Sequence, residues 1–302
     1  MMRKWLSPLA DPVFKRIFGQ EKEILMELIN AFIQIDEPVV EIEYVPQELL
    51  PDGLGGKNSI VDVRCFDSKH RQFIVEIQII RHESFLERVL YYASKIYGRQ
   101  LLKGRQYKNL KPVYVLSILD HSFDLSTDLW LHSYSIINEI DLKKKLGGIH
   151  LVFLELEKCK NLGNFTMQRI QDRWIAFLTE PEKFLSMSKH ALHEYPNLVK
   201  AVELLDESNY TQGQLIAYDK YMDSIITWNS TMIESYDNGF EEGIEKGIEK
   251  GRQEGRKEGI YEGSDITINI IKALKLGELS TEAIAEQFSV SIKLVQDLKD
   301  LL

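Results

Sequence analysis

The chain has 302 residues, of which 44% are apolar and 27% charged, and a formal net charge of −9. This composition supports a sizeable core and excludes global disorder. Two cysteines, Cys65 and Cys159, exclude a disulfide framework and a four-cysteine zinc site. The first residues hold no apolar run long enough for a signal peptide, and no stretch approaches about 18 apolar residues. A cytoplasmic protein without a membrane span is therefore the expectation.

The charge is uneven. Residues 1–120 carry 17 basic and 16 acidic side chains, and residues 121–302 carry 20 and 30. Within the first part, residues 81–111 hold 8 basic and 2 acidic side chains. The acidic total hides a local basic element.

In chain order, Ile24, Leu25, Leu28, Ile29 and Phe32 recur at helical spacing, so a helix is predicted over 22–32. Strand-like runs follow at 39–50, 59–66 and 73–80. Residues 51–56 (Pro-Asp-Gly-Leu-Gly-Gly) are turn chemistry, and Asp67-Ser68-Lys69-His70 is short enough for a hairpin. A long helix is predicted over 83–103, then strands at 112–119 and 149–156. The order helix, three strands, helix, strand reads as an α/β fold. It is an antiparallel meander with a helical crossover to a further strand. From 159 to 236 the pattern is helical, with Trp174, Phe177, Leu178, Phe184, Leu185, Leu198, Val202 and Leu205 as candidate core. Glycine then recurs at every fourth position from Gly239 to Gly263. The expected organisation is a core over 1–158, a helical extension over 159–236, the glycine segment over 237–263 and a small helical tail over 264–302.

Strand alternation sets Asp62 apart from Val61 and Val63, and sets Glu76 and Gln78 apart from Val75, Ile77 and Ile79. If the two strands pair as a hairpin, Asp62 and Glu76 project from one face of neighbouring strands. Two carboxylates buried among apolar strands cost several kcal/mol unless a cation compensates. Mg²⁺ takes oxygen ligands and keeps several waters, so Asp62, Glu76 and the Ile77 carbonyl would suit it or another divalent cation. The same alternation also fits strands that simply turn their polar side chains to water.

These residues carry a resemblance. Asp62 followed by Glu76-Ile77-Gln78 within that element order is similar to the PD-(D/E)XK nuclease superfamily. Residues 11–19 (Asp-Pro-Val-Phe-Lys-Arg-Ile-Phe-Gly), residues 75–78 (Val-Glu-Ile-Gln), residues 87–92 (Glu-Arg-Val-Leu-Tyr-Tyr) and residues 101–107 narrow it. Together they resemble the Rpn family of recombination-promoting nucleases, also described as PD-(D/E)XK nuclease family transposases. The resemblance implies a restriction-endonuclease-like core with an α-helical C-terminal part. It implies a metal-dependent DNA endonuclease linked to recombination or to mobile-element and phage conflict. An inactive interaction or regulatory protein that keeps the nuclease fold is the alternative. By position, Asp62 and Glu76 would be the metal ligands, Gln78 would stand where the wider superfamily has lysine, and Lys15 would join the catalytic group. A glutamine amide can position water but has no proton to exchange, so it is a poor general base.

Several other features remain. At 100° per residue, Arg88, Tyr91, Tyr92, Lys95, Arg99 and Lys103 share one face of the 83–103 helix. The opposite face holds Leu86, Val89, Leu90, Ala93, Ile96, Tyr97 and Leu101. Arg88, Tyr92, Lys95 and Arg99 are the candidate DNA contacts, as a phosphate-neutralising face or as an ordinary solvated one. Asp11 and Lys15 are spaced as a helical ion pair. His190 and His193 are close, but nothing nearby completes a zinc site. Seven glycines in a helix would cost roughly 0.8–1.0 kcal/mol each against alanine. The segment is thus a linker, or a helix rescued by a partner helix, which makes a homo-oligomer through the C-terminal part a candidate. Residues 280–302 have the spacing of a helical pair, with Ser280 and Ser291 as N-caps.

Overall fold

The first helix begins where proline permits it. Asp11–Gln20 (α1) carries Pro12 in its first turn, where a missing N–H is no loss. Glu21 adopts extended backbone and separates α1 from Lys22–Phe32 (α2), the helix foreseen from its apolar spacing. A computed structural model describes residues 5–49, 59–82, 84–101, 106–161, 168–182 and 194–302. The turn at 51–56, Lys103, the Phe184–Leu185 pair and the His190/His193 pair lie outside the described residues. The chain divides into two compact units, Met1–Asn229 and Ser230–Leu302.

In the first unit the chain continues through Ile42–Tyr44 (β1), Glu48–Leu49 (β2), Ser59–Ile60 (β3), Val63–Asp67 (β4) and Gln72–Gln78 (β5). Next come Phe85–Arg99 (α3), Val113–Leu119 (β6), Leu131–Ile137 (β7) and Lys145–Glu155 (β8). Leu156–Asn161 (α4), Ile170–Thr179 (α5), Pro196–Glu203 (α6) and the start of Gln212–Leu276 (α7) complete it. The sheet order is β1-β4-β5-β6-β8-β7, while β2 and β3 pair apart. β1, β4 and β5 form the antiparallel meander. β6 lies parallel to β5 after the α3 crossover, and β8 lies parallel to β6.

Both faces of the sheet are covered. On one face Val63, Cys65, Phe73 and Val75 pack with α1, α2, α5 and α6. Trp174, Phe177, Leu198, Val202 and Leu205 are fully buried there, as their apolar spacing led one to expect. On the other face Val61, Ile74, Val115 and Phe153 pack under Phe85, Val89, Ala93 and Ile96 of α3.

Three expectations need correction. The runs at 39–50 and 59–66 are each split in two, because the chain leaves the main sheet after Tyr44 and rejoins it at Val63. β7 was not anticipated: its sequence Leu-His-Ser-Tyr-Ser-Ile-Ile has too little apolar alternation, and it is held as an edge strand on β8. The core face of α3 is rotated from the one the helical wheel gave. Phe85 is buried, while Leu86 and Leu90 are 37% and 49% exposed. The polar residues of α3 meet the sheet, so its apolar stripe is displaced toward Phe85.

In the second unit α7 runs unbroken through the glycine segment. Ion pairs Lys246–Glu242 (2.9 Å) and Lys250–Glu254 (3.9 Å) lie along it. Ile270, from the end of α7, packs with Ile284 and Ala285 of Thr281–Gln287 (α8) and Val295 of Ile292–Asp300 (α9). Ser280 Oγ accepts from the Ala283 N–H and Ser291 Oγ from the Leu294 N–H, so both expected N-caps are in place. A Cβ built on any glycine from Gly239 to Gly263 would meet nothing within 4 Å. Replacing Gly247, Gly251 and Gly255 together with alanine should therefore raise helicity without steric penalty, by roughly 0.8–1.0 kcal/mol per site. Circular dichroism during thermal melting checks this, and a loss of helix on substitution would contradict the open environment.

Candidate functional site

The site is built on a bulge. Tyr44 lies opposite Cys65 and Glu48 opposite Ile60, so four steps on one strand span five on the other. The extra residue falls at Val61–Asp62, across from Pro46, which has no N–H to give to a ladder. The Val61 N–H reaches the Gln47 carbonyl (3.1 Å), and the Gln47 side chain donates to the Asp62 carbonyl. The bulge breaks alternation. Val61 and Val63, expected on one face, lie in the cores on opposite faces of the sheet. Asp62 is left at the end of β4, beside Glu76 of β5.

Each carboxylate holds the other's strand. Glu76 Oε1 accepts from the Asp62 backbone N–H (3.2 Å), and Asp62 Oδ2 accepts from the Ile77 N–H (2.8 Å). The Asp62 side chain is 15% exposed and Glu76 is 7% exposed. Burial pushes Asp62 up to about 6, against the lowering pull of the Ile77 N–H and the Lys15 charge. Burial also pushes Glu76 well above the usual carboxylate range, and the neighbouring Asp62 charge adds to it. The two therefore titrate as a pair that resists carrying two negative charges.

Cations approach from both layers. From α1, Lys15 Nζ stands 2.7 Å from Asp11 Oδ1 and 3.6 Å from Asp62 Oδ1. Burial alone would lower the Lys15 ammonium, but Asp11 and then Asp62 outweigh it, and its pKa is raised. Lys15 is thus a fixed positive charge and not a proton acceptor. From α3, the Arg88 guanidinium donates to Gln78 Oε1, while Gln78 Nε2 donates to the Ile80 carbonyl. Both ends of the Gln78 amide are occupied.

The structure thus brings Asp62, Glu76, Gln78, Lys15 and Arg88 together. It treats the other candidate DNA contacts differently. Lys95 is buried, at 7% exposure, and donates to the Leu49 carbonyl at 3.1 Å, so it braces the β2 arm and is not offered on a solvent face. Tyr92 packs against the α3 core, and Arg99 lies beside Arg64 at the far end of the helix. Two neighbours were missed. Tyr221, near the start of α7, is pushed up to about 12 by burial and by the Asp11 charge, and it also senses Asp62. Nothing in its local sequence distinguishes it, because only the return of α7 onto α1 puts it there. Ser117 of β6 lies opposite Glu76, fully buried, and its hydroxyl has no partner among the described residues. A lone serine in the apolar run Val-Tyr-Val-Leu-Ser-Ile-Leu was the available signal.

Among the described residues no group of three or more His, Cys, Asp or Glu side chains is arranged to hold a metal ion. Two buried, charge-deficient carboxylates nonetheless fit Mg²⁺, which keeps much of its water shell. The sheet is covered on both faces, and the paired acids lie on β5 and at the end of β4, so the fold is of the α/β class. The family model for PD-(D/E)XK nuclease family transposases matches residues 8–234, and the chain belongs to that family. No curated relative and no solved structure matches the chain.

The raised carboxylates give a pH prediction. The unfolded chain releases the Asp62 proton near pH 3.8, whereas the folded chain keeps it to about pH 6. Stability without divalent cation should therefore fall as pH rises through that window, by on the order of 2–3 kcal/mol. Asp62→Asn keeps an acceptor for the Ile77 N–H and removes the charge. In EDTA at pH 8 it should melt several degrees above wild type, with the gap closing at pH 4. A variant that melts lower at pH 8 would show that the carboxylate is not under strain.

Proposed function

We propose that the protein is a divalent-cation-dependent DNA endonuclease that hydrolyses phosphodiester bonds in the cytoplasm, in keeping with a role in recombination or mobile-element and phage conflict. The observation that carries this reading is the buried Asp62–Glu76 pair, cross-tied through backbone N–H groups and short of positive charge. Mg²⁺ held by Asp62 and Glu76 would supply Lewis-acid polarisation of the phosphodiester and a nucleophilic water at neutral pH. The remaining chemistry comes from the chain. The Ile77 N–H and Asp62 N–H fix the two carboxylates, and Asp62 Oδ1 faces Lys15. Lys15, permanently charged, neutralises negative charge that builds on the phosphoryl oxygens. Arg88, held by Gln78, provides a second cation from the opposite layer.

This assigns Gln78 as a positioning residue for Arg88. A lysine at 78 would set two cations side by side, so the superfamily's usual residue should not serve in this chain. A second reading, a nuclease fold without catalysis, is favoured only by the full engagement of the Gln78 amide. The C-terminal part would form the homo-oligomer contact, through the glycine ridge of α7. Leucine at Gly247, Gly251 and Gly255 should then weaken self-association in sedimentation.

Nicking of supercoiled plasmid with Mg²⁺, against EDTA, tests the activity. Asp62→Ala and Glu76→Ala should each lower the rate by at least about a hundredfold. Gln78→Lys and Arg88→Ala should fall together, by about tenfold or more. A wild-type chain with no Mg²⁺-dependent cleavage would favour the non-catalytic reading, and equal rates in the alanine variants would reject the assignment of the pair.

A further inference from the structure

A cavity lies on the same face of the sheet as Glu76. It has a volume of about 580 Å³ and is bounded by the start of β5, by β4, by the end of α3 and by residues between Gln106 and Lys111. Arg64, Phe66, His70, Gln72, Arg99 and Lys111 are among its lining residues, and no Asp or Glu is among the described residues there. Arg64 is half-buried, and arginines withdrawn from water are ordinarily matched by carboxylates. Here the Arg64 guanidinium makes a long contact, 3.4 Å, to Gln72 Oε1, and no carboxylate partner among the described residues. Its Nε–H is buried and has no partner among the described residues. Burial lowers the Arg64 pKa, and the like charge of Arg99 lowers it further.

The cavity is built around those cations. The Gln100 side chain grips both backbone groups of Lys111, donating to its carbonyl and accepting from its N–H at 2.8 Å each. That clamp fixes Lys111 at the rim. Phe66 offers an aromatic face, with the His70 ring centroid 5.5 Å away. His70 is held in a left-handed conformation (φ 60°) by a turn in which Asp67 Oδ1 accepts from the Lys69 and Arg71 N–H groups. Converging cations, an aromatic plane and side-chain amides are the chemistry that recognises a nucleotide. The volume lies within the range of small-ligand sites.

We propose that this cavity binds the phosphate and base of a nucleotide, with Arg64 and Lys111 on the phosphate and Phe66 against the base. Arg64 follows Asp62 by two residues on one strand, about 7 Å away. A free mononucleotide and a single strand passing the end of α3 offer the same groups. Recognition here needs neither Asp62 nor Glu76, so it stands or falls apart from the cleavage reading.

Binding to the full-length chain in EDTA tests it, with a fluorescent single-stranded oligodeoxynucleotide and, by calorimetry, adenosine 5′-monophosphate. Arg64→Gln and Lys111→Gln should each weaken binding by about tenfold or more, Arg64→Lys should weaken it less, and Lys143→Gln, an exposed cation outside the cavity, should leave it unchanged. Loss for the oligonucleotide alone would identify a strand phosphate as the ligand. Loss for both probes would identify a nucleotide pocket. Lys111 is exposed, so its variant remains informative if Arg64→Gln fails to fold. No binding of either probe to wild type, or wild-type affinity in both Arg64→Gln and Lys111→Gln, would overturn the proposal.

Discussion

The reciprocal grip between Asp62 and Glu76 organises the site. Each carboxylate accepts a backbone N–H from the other's strand, at 3.2 and 2.8 Å. Those bonds keep two acids in an environment that disfavours their charge. An isolated buried carboxylate would simply keep its proton. A pair fixed at this spacing instead creates a standing demand for positive charge, which the surrounding layers answer only in part. Lys15 comes from below and Arg88 from above, and both are already engaged with Asp11 and Gln78.

That partial answer bears on the glutamine at position 78. Instead of a cation on the strand itself, this chain distributes cationic character over two helices. Gln78 supplies no charge, but its amide orients Arg88 and ties it to the strand end through the Ile80 carbonyl. The cost is that α3 must turn polar residues toward the sheet. Its core stripe shifts to Phe85, Val89, Ala93 and Ile96, and Leu86 and Leu90 are left partly in solvent.

Much of this was legible because it follows from period. Alternation set Glu76 and Gln78 on one face, apolar spacing gave α2 and the helical core around Trp174, and serine chemistry gave the caps of α8 and α9. Family resemblance brought Lys15 into view. What was not legible depends on long-range placement. The bulge at Val61–Asp62 arises from Pro46, fifteen or more residues earlier along the chain, and it cancels the alternation that put Val61 with Val63. Lys95 looks like a surface cation on a helical wheel, yet the β2 arm folds over it. Tyr221 reaches the site only because a helix far along the sequence returns to α1. An edge strand such as β7 is fixed by its partner and not by its own composition.

The bulge also works as a mechanical joint. On its near side, β4 is locked into the six-stranded sheet. On its far side, β2 and β3 form a separate two-stranded arm. Because the extra residue absorbs the change in register, twist or length variation in the arm is not passed along the strand to Asp62. The arm can thus twist on its own, and Gln47 at its base is the point through which it stays tied to Asp62.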